Sequence, residues 1–247
     1  MLTQYKAMIG LMVLAVALAG CSRHAATTTG RARGTSPQIG DKAVYSFQGI
    51  VFFQGARSGI RSTGRDEYTV IAPTGQVRAM SPPIVRVFDL AQDHEQRMFG
   101  RRRSSRLVIR LGQDSLGNLY LLGKSRDGRT YDYVTNTTPP LYQPAQITTG
   151  SAWQHAVSYS NGDTQSATYR CVGMERVKTQ AGEYNAYKVS VDLKLSTSPR
   201  ATGYVWISAS LPRVFELKSE LSSNEPVRGI AQTSNVVSTL ESVSLAN

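Results

Sequence analysis

From Lys42 onward the chain alternates between apolar and polar positions. In KAVYSFQGIVF (42–52), Tyr45 and Phe47 are interleaved with Val44, Ser46 and Gln48. This is the two-residue period of a strand that buries one face. A glycine in that run marks a bend or bulge. EYTVIA (67–72) follows a Gly/Arg/Ser-rich turn, and SPPIVRVFDL (81–90) has its two prolines ahead of a strand rather than inside it. RLVIRL (106–111) and NLYLLG (118–123) flank the turn GQDSLG, and Asp127-Gly128, a strong hairpin signal, leads into TYDYVT (130–135). After the proline-rich stretch 136–150 the strands lengthen. SAWQHAVSYS turns at Asn161-Gly162 into TQSATYRCVGMERVKT, and Ala181-Gly182 leads into EYNAYKVSVDLKLST. ATGYVWISA, PRVFELKSEL and VRGIAQTSNVVSTLESVSL complete the series. One segment, FDLAQDHEQRMFG (88–100), suggests two or three helical turns, with Asp93, Glu95 and Arg97 as a polar face and Gly100 as a stop. The pattern predicts a mainly β fold: a strongly curved antiparallel sheet or unclosed barrel, with at most one or two short helices.

The first residues follow a different rule. Lys6 precedes a continuously apolar run over 7–18. As a helix that run is about 18 Å long, against a bilayer core of roughly 30 Å. A positive start, a short apolar core and small exit residues describe a secretory signal peptide. The exit, Leu18-Ala19-Gly20-Cys21, resembles the lipobox of bacterial lipoproteins. The resemblance implies cleavage before Cys21 and acylation of that residue, palmitate being one such acyl group, so that the membrane is held through lipid rather than spanned. Ser22 after the cysteine implies the periplasmic face of the outer membrane. The sequence therefore divides into a signal peptide (1–20), a polar tether (21–38) and one β-rich domain (39–247), with possible halves divided near 136–150. Residues 22–38 carry no large apolar side chain, too little to offset the entropy of ordering them.

Acylation of Cys21 leaves Cys171 without a disulfide partner. Cys171 lies in the alternating run SATYRCVGMERV, where a buried strand cysteine is expected. The formal net charge is +11. Much of the excess is clustered at Arg97, Arg101, Arg102, Arg103 and Arg106, with Arg110 nearby. Such a patch attracts anions. No nucleic-acid-binding motif accompanies it. In an envelope protein, phospholipid head groups, lipopolysaccharide phosphates or acidic wall polymers are the nearer partners, and a solvated loop is the plain alternative.

Beyond residue 141 the order PAQITTGSAWQ, CVGMERVKTQAGEYNAYKVSV and GYVWISASLPRVFELKSEL resembles a diffuse class of bacterial envelope proteins. That resemblance implies a fold like the lipoprotein carriers: a curved antiparallel sheet whose concave face can be covered or filled. On it, Trp153, Tyr204, Trp206 and Phe215 are candidate concave-face aromatics. His24, His94 and His155 are far apart in sequence, and neither zinc spacing nor a nucleophile motif is present. No enzyme activity, metal or cofactor is expected. Two functions follow: a structural or adaptor lipoprotein that docks another envelope component, or an amphiphile-binding domain using the concave face.

Overall fold

The computed structural model describes residues 36–53, 58–73, 82–129, 132–196, 198–224 and 232–246. The signal peptide, Leu18, Ala19, Gly20, Cys21 and nearly all of the tether lie outside them. Thirteen strands follow in order: β1 (Lys42–Phe53), β2 (Ile60–Ile71), β3 (Ile84–Met98), β4 (Arg101–Asp114), β5 (Leu119–Arg126), β6 (Asp132–Tyr133) and β7 (Leu141–Gln143), then β8 (Ala152–Ser158), β9 (Thr164–Thr179), β10 (Gly182–Leu195), β11 (Ser198–Ser208), β12 (Glu216–Ser223) and β13 (Gln232–Ser244). They form one antiparallel sheet ordered β6-β5-β4-β3-β2-β1-β13-β12-β11-β10-β9-β8, with β7 pairing β5. No helix occurs among the described residues.

The expected helix over 88–100 is therefore a strand. Phe88, Leu90, Gln92, His94, Gln96 and Met98 are all buried, whereas Glu95 and Arg97 are exposed and Asp93 half-buried. The period is two. Three polar residues on the buried face made the segment look amphipathic at helical spacing.

Bulges interrupt the ladders at Val44/Tyr45, Arg110/Leu111, Lys188/Val189 and Trp206/Ile207. Each adds local twist and bends its strand, and together they curl the sheet. Its edges do not join into a barrel. They meet at one end through an isolated bridge between Val134 and Tyr159 and the bonds Thr135 N to Ser158 O (2.8 Å) and Ser160 N to Tyr133 O (2.9 Å). The opposite end is filled by residues 209–215, where Leu211, Val214 and Phe215 join the larger core cluster. Buried Arg213 donates to the carbonyls of Gly117 and Pro144 and ties this plug to two other segments.

A polar group sits within the β1–β4 wall. Asp66 Oδ1 accepts from Gln92 Nε2 at 3.0 Å and lies 2.9 Å from His94 Nδ1. Phe47 stacks on the His94 ring, 5.1 Å between centroids. Gly64 makes this possible. A Cβ there would lie 2.0 Å from the Glu95 carbonyl oxygen and 2.4 Å from the Phe47 ring. Gly64→Ala is expected to displace Phe47 and destabilise the domain by about 1–3 kcal/mol, the usual cost of overpacking, measurable as a lower urea midpoint with an unchanged m-value.

Candidate functional site: a cavity inside the curved sheet

The curl encloses a cavity of about 440 Å³, within the ~300–1,000 Å³ range of small-molecule sites. Its walls follow from strand alternation. Leu90 of β3, Ile109 of β4, Leu121 of β5, Val191 and Leu193 of β10 and Val205 of β11 all point inward. Small polar Ser238 of β13 leaves room beside them.

The two ends differ. Lys124, Arg126, Arg129, Asp132, Asn161 and Asp163 surround the mouth. Lys124 pairs with Asp163 at 2.8 Å, and its ammonium lies 4.0 Å from the centre of the Tyr159 ring. Burial works against the Asp163 carboxylate, but hydrogen bonds and charge from Lys124, with a further bond from Asn161, hold its pKa below the usual range.

The interior is lined by tyrosines around one acid. Tyr45, Tyr68, Tyr142 and Tyr169 reach the cavity with Glu216. Burial pushes the Glu216 carboxyl up to about 7. Burial, with the neighbouring Glu216 charge, also holds the Tyr45 and Tyr142 phenols well above their usual range. The phenols are neutral hydrogen-bonding partners near pH 7, and the Glu216 carboxyl holds its proton to far higher pH than an exposed one. Beside them His155, whose ring lies 5.7 Å from that of Tyr169, is driven down to about 4 by burial and is neutral. The cavity thus has an apolar body, a charged mouth and a polar interior whose charge depends on one carboxyl.

The aromatics singled out from sequence are dispersed. Trp153 is buried, stands directly opposite cavity-lining Tyr169 on the neighbouring strand and so shares its face, stacks on its ring at 5.1 Å and donates from Nε1 to the Tyr142 carbonyl. Phe215 is buried in the plug next to Glu216. Tyr204 and Trp206 alternate with the cavity-lining Val205, so they face the other side of the sheet. There the ammonium groups of Lys188 and Lys218 lie over the Trp206 ring. The arginine cluster occupies the β3–β4 hairpin: Arg102 pairs with Glu95, and Arg106 with Asp93 at 3.0 Å. Cys171 is buried. Among the described residues no three His, Cys, Asp or Glu side chains converge as metal ligands.

Sequence reasoning missed the tyrosines and Glu216. One compositional signal was available: 12 Tyr against 6 Phe, an interior supplied with phenols rather than plain rings.

No family model matches the chain, and no curated protein does. Two solved structures are similar to it. One is a protein from Bacteroides fragilis named as exported, with a YmcC-like fold (TM-score 0.40, 14% identity, 85% of this chain and 97% of that one). The other is a protein from Parabacteroides distasonis named as a lipoprotein (TM-score 0.38, 13% identity, 85% of this chain and 98% of that one).

Proposed function

We propose that this chain is a cell-envelope lipoprotein, anchored through acylated Cys21 at the periplasmic face of the outer membrane, whose domain binds an amphiphile inside the sheet without catalysing a reaction. The motif Leu18-Ala19-Gly20-Cys21 with Ser22 supports the anchor and its location. The cavity carries the binding assignment: its aliphatic wall suits an apolar chain, and its tyrosines and Glu216 suit a hydrogen-bonding group. Each methylene moved from water onto that wall contributes about 0.8 kcal/mol. A module that only docks another envelope component has no use for such a space, and this favours amphiphile binding over the adaptor reading.

The test is native mass spectrometry of the domain after incubation with an envelope lipid extract. The expected result is a bound species of defined mass. Val205→Phe and Ser238→Phe project rings into the cavity and are expected to abolish that species, with circular dichroism unchanged. A clean apo mass at every lipid concentration, or binding that survives both substitutions, would leave the adaptor reading in its place.

A further inference from the structure

The hairpin between β3 and β4 carries a side chain that its turn does not call for. Met98 pairs with Arg101, leaving the two-residue turn Phe99-Gly100 with φ of 53° and 71°. A turn with both central residues at positive φ favours Asn or Asp ahead of Gly. The β5–β6 turn follows that preference, with Asp127 at 52° and Gly128 at 71°. At the same position of the β3–β4 turn stands phenylalanine, a bulky residue rarely found at positive φ. Its side chain is 56% exposed.

The surroundings are basic. Arg97, Arg101, Arg102 and Arg103 flank the turn. Glu95 pairs with Arg102, while Arg97 and Arg101 have no ion-pair partner among the described residues. β5 ends with Arg126 opposite Leu107, so residues 101–106 continue past the end of β5. The cavity-mouth residues Arg126 and Arg129 lie at this same end of the sheet, because β5 runs antiparallel to β4.

We propose that the β3–β4 hairpin is a membrane-docking element: Phe99 enters the head-group region of an anionic bilayer while Arg97, Arg101, Arg102 and Arg103 hold lipid phosphates. A guanidinium offers two parallel donors to a phosphate. Each cation near an anionic leaflet strengthens association about fivefold. One aromatic ring and a few arginines give reversible docking, weaker than an acyl anchor. Docking in this way turns the cavity mouth toward the leaflet. The hairpin's role does not require the cavity to hold a ligand, so the two proposals fail separately.

The experiment uses the full acylated chain reconstituted in vesicles, with Phe99→Cys carrying an environment-sensitive fluorophore. Cys171 is buried and does not compete for the label. In phosphatidylcholine vesicles containing phosphatidylglycerol the emission is expected to shift to the blue and to be quenched by bilayer-embedded quenchers. Both effects are expected to vanish in high salt, in phosphatidylcholine alone, and when the four arginines are replaced by Gln. Thermal unfolding of that variant checks that the exposed substitutions leave the fold intact. A fluorophore that stays aqueous on anionic vesicles, or that shifts equally on neutral ones, overturns the proposal. A polyanion or protein partner for the hairpin would give the first of these outcomes.

Discussion

Arg110→Met is expected to destabilise the domain by about 3–5 kcal/mol, whereas Arg110→Met combined with Asp89→Leu is expected to cost far less. Arg110 is 2% exposed and Asp89 is fully buried. Their contact is a two-pronged one: Nε to Oδ1 at 2.8 Å and Nη2 to Oδ2 at 2.9 Å. The partners lie directly opposite each other on β4 and β3. Their chain neighbours Leu90 and Ile109 line the cavity, so the pair faces the other side of the sheet. Removing the guanidinium alone leaves a carboxylate in the interior with its charge uncompensated, and the penalty is that of the orphaned charge. Removing both leaves two apolar side chains of similar bulk. Urea unfolding of the two single variants and the double variant near pH 7 gives the coupling directly. A loss below about 1 kcal/mol for Arg110→Met would mean that water reaches Asp89 once the arginine is gone. The pair also holds β3 and β4 in register beneath the cavity wall, so the single variants are expected to lose bound amphiphile at lower denaturant than the double variant.

The strands from Lys42 to the end of β13 were legible because alternation and turn chemistry agreed. Asp127-Gly128 and Asn161-Gly162 lie in hairpin turns, and Gly128 and Gly162 both take positive φ. Legibility failed where polar residues are buried. Gln92, His94 and Gln96 broke the apolar stripe of β3, yet each is buried on its inner face, where Asp66 from β2 accepts from Gln92 and pairs with Nδ1 of His94. Glu216 illustrates a second cause. In VFELKSEL it stands between apolar Phe215 and Leu217, and simple alternation assigns it to the outer face with Lys218 and Glu220. The bulge at Trp206/Ile207 sets Glu216 opposite Ile207 and changes the phase there, so the carboxyl reaches the cavity. A bulge has no sequence signature of its own in this run. Tyr204 and Trp206 failed for a third reason: size marked them as concave-face residues, but the two faces of a central strand differ only in phase, and Val205 occupies the inner one. The arginine cluster was visible as a run of like charges. Its meaning changed only when the two-residue turn placed Phe99 at its tip.

Two large opposing contributions are expected to act on the stability of the wild-type domain between about pH 4.5 and 6.5, so that its slope lies between those of the Glu216 and His155 variants. Burial raises Glu216 from 4.5 to about 7. Between those values the folded chain keeps a proton that the unfolded chain releases. This contribution is fully present below about pH 4.5 and is lost as pH rises toward 7. Burial lowers His155 from 6.5 to about 4. Between those values the unfolded chain holds a proton that the folded chain does not. This contribution is fully present above about pH 6.5 and is lost as pH falls toward 4. Each shift corresponds to about 3 kcal/mol at most, less where cavity water screens the group. Glu216→Gln removes the first, so its stability relative to wild type is expected to rise by about 2–3 kcal/mol from pH 4.5 to 6.5. His155→Gln removes the second, so its stability relative to wild type is expected to fall by a similar amount from pH 4.5 to 7. Asp66, raised by burial against the pull of His94 and Gln92, adds a slope of the same sign as Glu216 in every variant. The difference between variants is therefore the diagnostic quantity. Urea midpoints across this range decide the matter. Opposite slopes would place both groups in a dry interior. A Glu216→Gln profile that overlays the wild type would mean that water already fills the space around the carboxyl, and an apolar chain would then have to displace that water to bind.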